Sequence, residues 1–134
     1  MPIKYKILKN KKLVYSVGEN SVTLEDLLHH LEELATDQHY TAPMKKLVDY
    51  RKAQLVSISN EEVEKFSKEK LAFGNFFQEE MCAIVVNNDL DFGITRMHGM
   101  QIEFENINTN SFRKFEDAIA WLKVELDERE MGFD

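Results

Sequence analysis

Leu47-Val48-Asp49-Tyr50-Arg51 reads as a short buried strand, and Ser59-Asn60-Glu61-Glu62-Val63, beyond a short loop, reads as the capped start of a helix. A strand feeding a helix is the repeating unit of an α/β domain. Such sheets meet ligands and partners at the carboxyl ends of their parallel strands. The loop from Arg51 to Ser59 is therefore the first place to look for function. Ser59 and Glu62 have the capping-box spacing, and Ile58 is placed to staple onto Val63. Val63, Phe66, Lys70-Leu71 and Phe73 carry the apolar face on to a stop at Gly74-Asn75.

Upstream, Lys45 to Arg51 forms the strand itself, and Pro43 pushes Ala42 out of the helical region. Thr23 with Asp26 is a second capping-box pair. Leu24, Leu27, Leu28, Leu31 and Leu34 follow at helical spacing. Residues 3–8 alternate with period two, Asn10-Lys11 can turn the chain, and Leu13 to Val17 reads as a second strand ended by Gly18. Downstream, Met81 to Val86 is a continuous apolar run, as for a strand covered on both faces. Asn87, Asn88 and Asp89 offer caps for a third helix carrying Phe92, Arg96-Met97, Met100 and Phe104. Asn106–Phe112 is a poor strand, and Phe115 to Leu122 is a fourth amphipathic helix.

The order is ββαβαβαβα, which predicts a mostly parallel five-stranded sheet with an antiparallel N-terminal strand and four helices. A chain of 134 residues is expected to be one domain, 1–134, with about 125–134 a frayed tail. A net charge of −7 speaks against nucleic acid, because phosphate binding needs a surplus of lysine and arginine. The cluster Lys4, Lys6, Lys9, Lys11 and Lys12 reads as a solubilising edge-strand set. Cys82 is the only cysteine, which excludes an internal disulfide and a cysteine-based metal site. Its apolar neighbours make it an inert core thiol. With no signal peptide and no long apolar run, the expectation is a cytoplasmic protein without stable membrane insertion.

Several stretches occur together in order: Val22-Thr23-Leu24-Glu25-Asp26-Leu27 after Gly18; Asp37, Tyr40 and Pro43 before Leu47 to Arg51; Ala83 to Val86; Phe92-Gly93-Ile94-Thr95-Arg96-Met97; and Phe115 to Leu122. As a set they resemble the small bacterial SpoIIAA-like proteins, relatives of the STAS domain of anti-sigma-factor antagonists and anion-transporter tails. The resemblance reaches to about Val124 and implies a STAS-like fold. It also implies a place for a phosphorylatable serine in an Asp-Ser motif at the helix after the third strand. Ser57-Ile58-Ser59-Asn60 stands there without an Asp-Ser pair or a glycine, so a phospho-switch does not carry over.

Asp49 and Arg51 share one face of their strand, with Tyr50 on the other. A charge there needs a partner, and Arg96 is the expected mate of Asp49. Asp49, Arg51, Ser57, Ser59 and Arg96 thus form a candidate partner or anion surface, against the plainer reading of a bracing ion pair and an N-cap. Phe73, Phe76, Phe77, Met97, Met100 and Phe104 form a candidate apolar surface or pocket, against the plainer reading of core. His29, His30, His39 and His98 lack metal-ligand spacing, and neither a glycine-rich phosphate loop nor a nucleophile motif occurs. No metal, cofactor or catalytic residue is expected, and the chain is read as not an enzyme. The leading expectation is a non-catalytic STAS-like interaction and regulatory module. It would meet an unidentified protein, or a second copy of itself, through the Arg51–Ser59 loop and the start of the second helix. The alternative is a small-molecule or lipid-binding domain of the SEC14 type, with an apolar pocket under the third helix. That alternative calls for an enclosed cavity of ~300 Å³ or more.

Overall fold

The computed structural model describes residues 2–77, 79–102 and 107–133. Within them run strands β1 (Ile3–Leu8), β2 (Leu13–Ser21), β3 (Lys45–Gln54), β4 (Met81–Val85) and β5 (Asn108–Phe112). The helices are α1 (Leu24–Thr36), α2 (Asn60–Ala72), α3 (Asp89–Ile102), α4 (Phe115–Leu122) and a short α5 (Glu128–Met131). The strands lie in the order β1-β2-β3-β4-β5, with β1 antiparallel to β2 and every other pair parallel. The expected α/β sheet is the observed one.

Right-handed crossovers that always step the same way across a sheet leave their helices on one face. Accordingly α1, α2 and α3 form one layer, while α4 packs on the opposite face against β3, β4 and β5. Alternation then sorts each strand. Val48, Tyr50, Cys82 and Ile84 turn to the three-helix layer, whereas Leu47, Ala83 and Val85 turn to α4. Each fully buried Leu, Ile or Val contributes about 1.5–3 kcal/mol. Both expected capping boxes are formed, Thr23 with Asp26 and Ser59 with Glu62, and each cap is worth ~1 kcal/mol.

Gly18 does not end β2. The strand continues to Ser21, and β3 continues beside it to Gln54, so Lys52 to Gln54 is strand rather than loop. The pairing register shifts between Val17 and Glu19, and Gly18 sits at that shift under the Tyr50 ring. A Cβ on Gly18 would lie 2.6 Å from Tyr50 Cδ1. Tyr50 is itself buried, so the ring cannot swing into solvent. Gly18→Ala is expected to cost about 1–3 kcal/mol by overpacking, read as a lower urea midpoint at unchanged m-value. An unchanged midpoint would show that the ring moves freely.

The tail expected to fray packs, as far as Phe133, on the α4 face of the sheet. Asp127 and Glu130 form a third capping box at the start of α5, and Val124, Leu126, Met131 and Phe133 pack on the α4 face. Phe133 stacks on Tyr15 with ring centroids 5.7 Å apart. Lys6 lies over the Phe133 ring, and Lys11 pairs with Glu130 at 2.6 Å. Two of the edge lysines therefore hold the tail. No helix among the described residues is long and apolar enough to cross a membrane.

Candidate functional site

The carboxyl ends of β3, β4 and β5 are tied into one surface. Asn88 caps α3 by accepting from the Asp91 N–H at 2.8 Å. The buried Asp91 carboxylate in turn accepts from the Leu55 N–H at 3.2 Å and from Asn88 Nδ2 at 3.1 Å. Asn87 Nδ2 donates to the Arg51 carbonyl at 2.7 Å. Arg113, after β5, donates to the Asn87 carbonyl at 3.0 Å and pairs with Asp89. Two large apolar side chains stand out of this frame: Val56, 66% exposed, and Leu90, 67% exposed. Val56 lies in the loop before α2 and Leu90 in the first turn of α3, and the two segments adjoin, since the Leu55 N–H donates to the Asp91 carboxylate.

Asp49 and Arg51 pair with each other. Arg51 Nε and Nη2 donate to Asp49 Oδ1 and Oδ2 at 2.9 and 2.8 Å, a bidentate geometry. The guanidinium also covers the Phe115 ring at 4.6 Å. Arg96 is not the mate of Asp49, and the topology explains why. Asp49 and Arg51 are odd-numbered residues of β3 and face α4, whereas Arg96 rides on α3 across the sheet, near the Phe92 ring at 5.9 Å. Ser59 is exposed and its hydroxyl is committed as the cap of α2, accepting from the Glu62 N–H at 3.1 Å. Ser57 is exposed beside it.

The proposed apolar set does not form one pocket. Phe77 is fully buried, so no partner can reach it, and it meets Tyr40, Phe73 and Phe76 edge-on. Phe73 and Phe76 are half-buried in that same cluster. Met97 packs on a different cluster, and Met100 is 67% exposed on α3. Phe104 lies outside the described residues.

Beneath the three-helix layer lies a polar set that sequence reasoning missed. Lys70 Nζ on α2 pairs with Glu80 Oε1, ahead of β4, at 2.6 Å, and both side chains are buried. Burial works against the Lys70 charge, but the Glu80 carboxylate outweighs it and holds the ammonium above its ordinary range. Among the described residues Glu80 Oε2 and the Tyr40 hydroxyl are buried without a hydrogen-bond partner. Burial, then Glu80, pushes the Tyr40 phenol up. His98 Nδ1 lies 2.7 Å from Ser67 Oγ, and His30 Nε2 lies 3.0 Å from Ser16 Oγ. Burial, then the charge of Glu80, lifts the Cys82 thiol to about 11, which keeps it inert. Among the described residues no group of three or more His, Cys, Asp or Glu is placed to hold a metal.

This polar set and its apolar neighbours line a cavity of about 60 Å³ beneath α1, α2 and α3. Small-molecule sites occupy roughly 300–1,000 Å³, so the cavity does not favour an apolar carrier of the SEC14 type. The missed signal was positional. Lys46 falls in register with Val48 and Tyr50 on the inward face of β3, and Lys70 falls on the Val63–Phe66 stripe of α2.

No protein-family model matches the chain, and no curated protein matches it. Among solved structures it is similar to an uncharacterised protein of the DUF3478 family with a SpoIIAA-like fold from Shewanella loihica PV-4. The TM-score is 0.58 and the identity 22%, over 90% of this chain and 93% of that one. The sheet order, the antiparallel first strand and this likeness together show that the chain has a SpoIIAA-like fold.

Proposed function

We propose that the chain is a non-catalytic, STAS-like interaction and regulatory module of the cytoplasm, and that its working surface is the Arg51–Ser59 segment, the end of β3 and the loop after it, with the start of α2. The observation that supports this reading is the pair Val56 and Leu90, held out to solvent on a braced frame at the carboxyl ends of the strands. Interfaces draw their affinity from a few apolar anchors surrounded by polar groups that exclude water. Ser57, Ser59, Asn87 and Asn88 supply such a surround. The Arg51 guanidinium is engaged by the Asp49 carboxylate and the Phe115 ring, which supports a bracing role for the pair.

The test is affinity capture from an extract of the source organism with three baits: the native chain, Val56→Asp/Leu90→Asp, and Met100→Asp. Met100 lies about 15 Å along α3 from Leu90 at 1.5 Å per residue, so it controls for general surface stickiness. Loss of two anchors is expected to weaken a specific partner about 30-fold or more, equivalent to ~2 kcal/mol. The Met100 variant should retain that partner. If all three baits capture the same proteins equally, the strand-end surface is not the working one.

A further inference from the structure

Among the described residues, two lysine amines, Lys46 and Lys70, lie with the Glu80 carboxylate in the interior under the three-helix layer. Lys70 has Glu80 as its counter-ion. Lys46, only 5% exposed, forms no ion pair of its own among the described residues and shares the field of Glu80 with Lys70. The charged or ionisable groups that act on it are Lys70, Glu80 and the Cys82 thiol. Burial and the charges of those neighbours act on its amine, and no hydrogen bond is among the causes of its shift. Burial, then Lys70, presses Lys46 toward the neutral amine. An unpaired ammonium is costly in such a place, and the cost is relieved by losing the proton or by gaining an anion.

Lys46 lines the 60 Å³ cavity together with His30, Lys70, Cys82, Thr95 and His98, and the remaining wall is apolar. At roughly 15 Å³ for each water-sized group, that is room for about four of them. Four is the heavy-atom count of acetate. The volume that argues against a lipid therefore suits a compact anion with a short carbon end.

We propose that this cavity is a binding site for a monocarboxylate of acetate size, with its carboxylate on Lys46 Nζ. The anion supplies the missing counter-ion. It also favours the charged amine, so binding takes up a proton. Among the described residues the ionisable groups around Lys46 are Lys70, His30, His98, Glu80, Cys82 and Tyr50, and the one carboxylate among them, Glu80, is already paired with Lys70. The site is separate from Val56 and Leu90, neither of which lines the cavity.

The test is calorimetric titration of the full chain with sodium acetate against sodium chloride at constant ionic strength, in PIPES and in imidazole buffers at neutral pH. One saturable site with Kd on the order of 1 mM is expected, the strength one charge-assisted contact in a small cavity supports. The binding heat should differ between the buffers in the sense of proton uptake. Lys46→Met keeps the volume and removes the charge, a change that buried sites tolerate. It is expected to lose affinity by about ten-fold or more. Should that variant fail to fold, the ζ-nitrogen resonance of Lys46 in the native chain is read instead. It is expected to move toward the charged amine as acetate is added, and a stationary resonance overturns the proposal. So does the absence of saturable heat up to about 50 mM acetate, or a Lys46→Met variant that binds within about two-fold of the native chain. Hexanoate binding about ten-fold tighter than acetate also overturns it, because that result describes an apolar carrier.

Discussion

Lowering the pH from 7 to 4.5 is expected to remove about 5 kcal/mol from the folded state, through the two buried histidines. His30 and His98 are 3% and 6% exposed. Burial, then the charges of Lys46, Lys70 and His29, takes His30 from 6.5 down to about 2. Burial, then Lys70 and Lys46, takes His98 well below 6.5. Above pH 6.5 both histidines are neutral whether the chain is folded or not, and they add no pH dependence. Below it the unfolded chain takes up two protons that the folded chain refuses, so stability falls as pH falls. Each histidine costs about 1.4 kcal/mol per pH unit, and two histidines over two units give ~5 kcal/mol. Domains are stable by only about 5–15 kcal/mol, so cooperative acid unfolding near pH 4.5 is expected. Lys46 acts with the same sign wherever its folded form is partly neutral. Urea midpoints measured across the pH range give the slope, and His98→Gln should roughly halve it. Imidazole nitrogen resonances in the folded chain should stay neutral until the chain unfolds. A folded imidazole titrating near its ordinary value would sink the account.

The acid-sensitive interior is also where sequence reasoning fell short. Period-two alternation, the Thr23 and Ser59 boxes and the strand–helix alternation were enough to read the sheet, because each is a local signal repeated along the chain. The pairing of Asp49 was not legible. Whether a helix lies over the odd or the even residues of β3 depends on the direction in which the sheet is wound, and no residue pattern encodes that direction. Gly18 looked like a stop because the ring of Tyr50, which needs the missing Cβ, is distant in the chain. The Asp127–Glu130 box was legible in principle, yet α5 has no apolar stripe of its own and depends on Tyr15 and the edge lysines. The buried polar set was hidden by type. A lysine on an inward face is ordinarily read as a rim residue whose head reaches water, and here Lys46 and Lys70 do not reach it.

Glu80→Gln is expected to cost about 3–5 kcal/mol at neutral pH, and more than Lys70→Met. The Lys70–Glu80 pair is fully buried at 2.6 Å. Removing one member of such a pair leaves the other charge with neither water nor counter-ion. The two removals are not equivalent in this interior. Without Lys70, the Glu80 carboxylate still has Lys46 among the charges acting on it, and the remaining groups sum to zero. Without Glu80, Lys46 and Lys70 face each other with no carboxylate between them. Both then approach the neutral amine, and His30 and His98 can relieve neither. The asymmetry has a corollary in suppression. Adding Lys46→Met to Glu80→Gln removes one of the two facing amines and should return a substantial part of the loss, on the order of 2 kcal/mol. The same Lys46→Met change added to Lys70→Met removes the only remaining cation beside Glu80 and should deepen the loss. Denaturant unfolding of the two double variants reads that reversal of sign directly. Parallel effects of Lys46→Met in both backgrounds would mean that Lys46 is not coupled to the pair, and the charge count proposed for this interior would then be wrong.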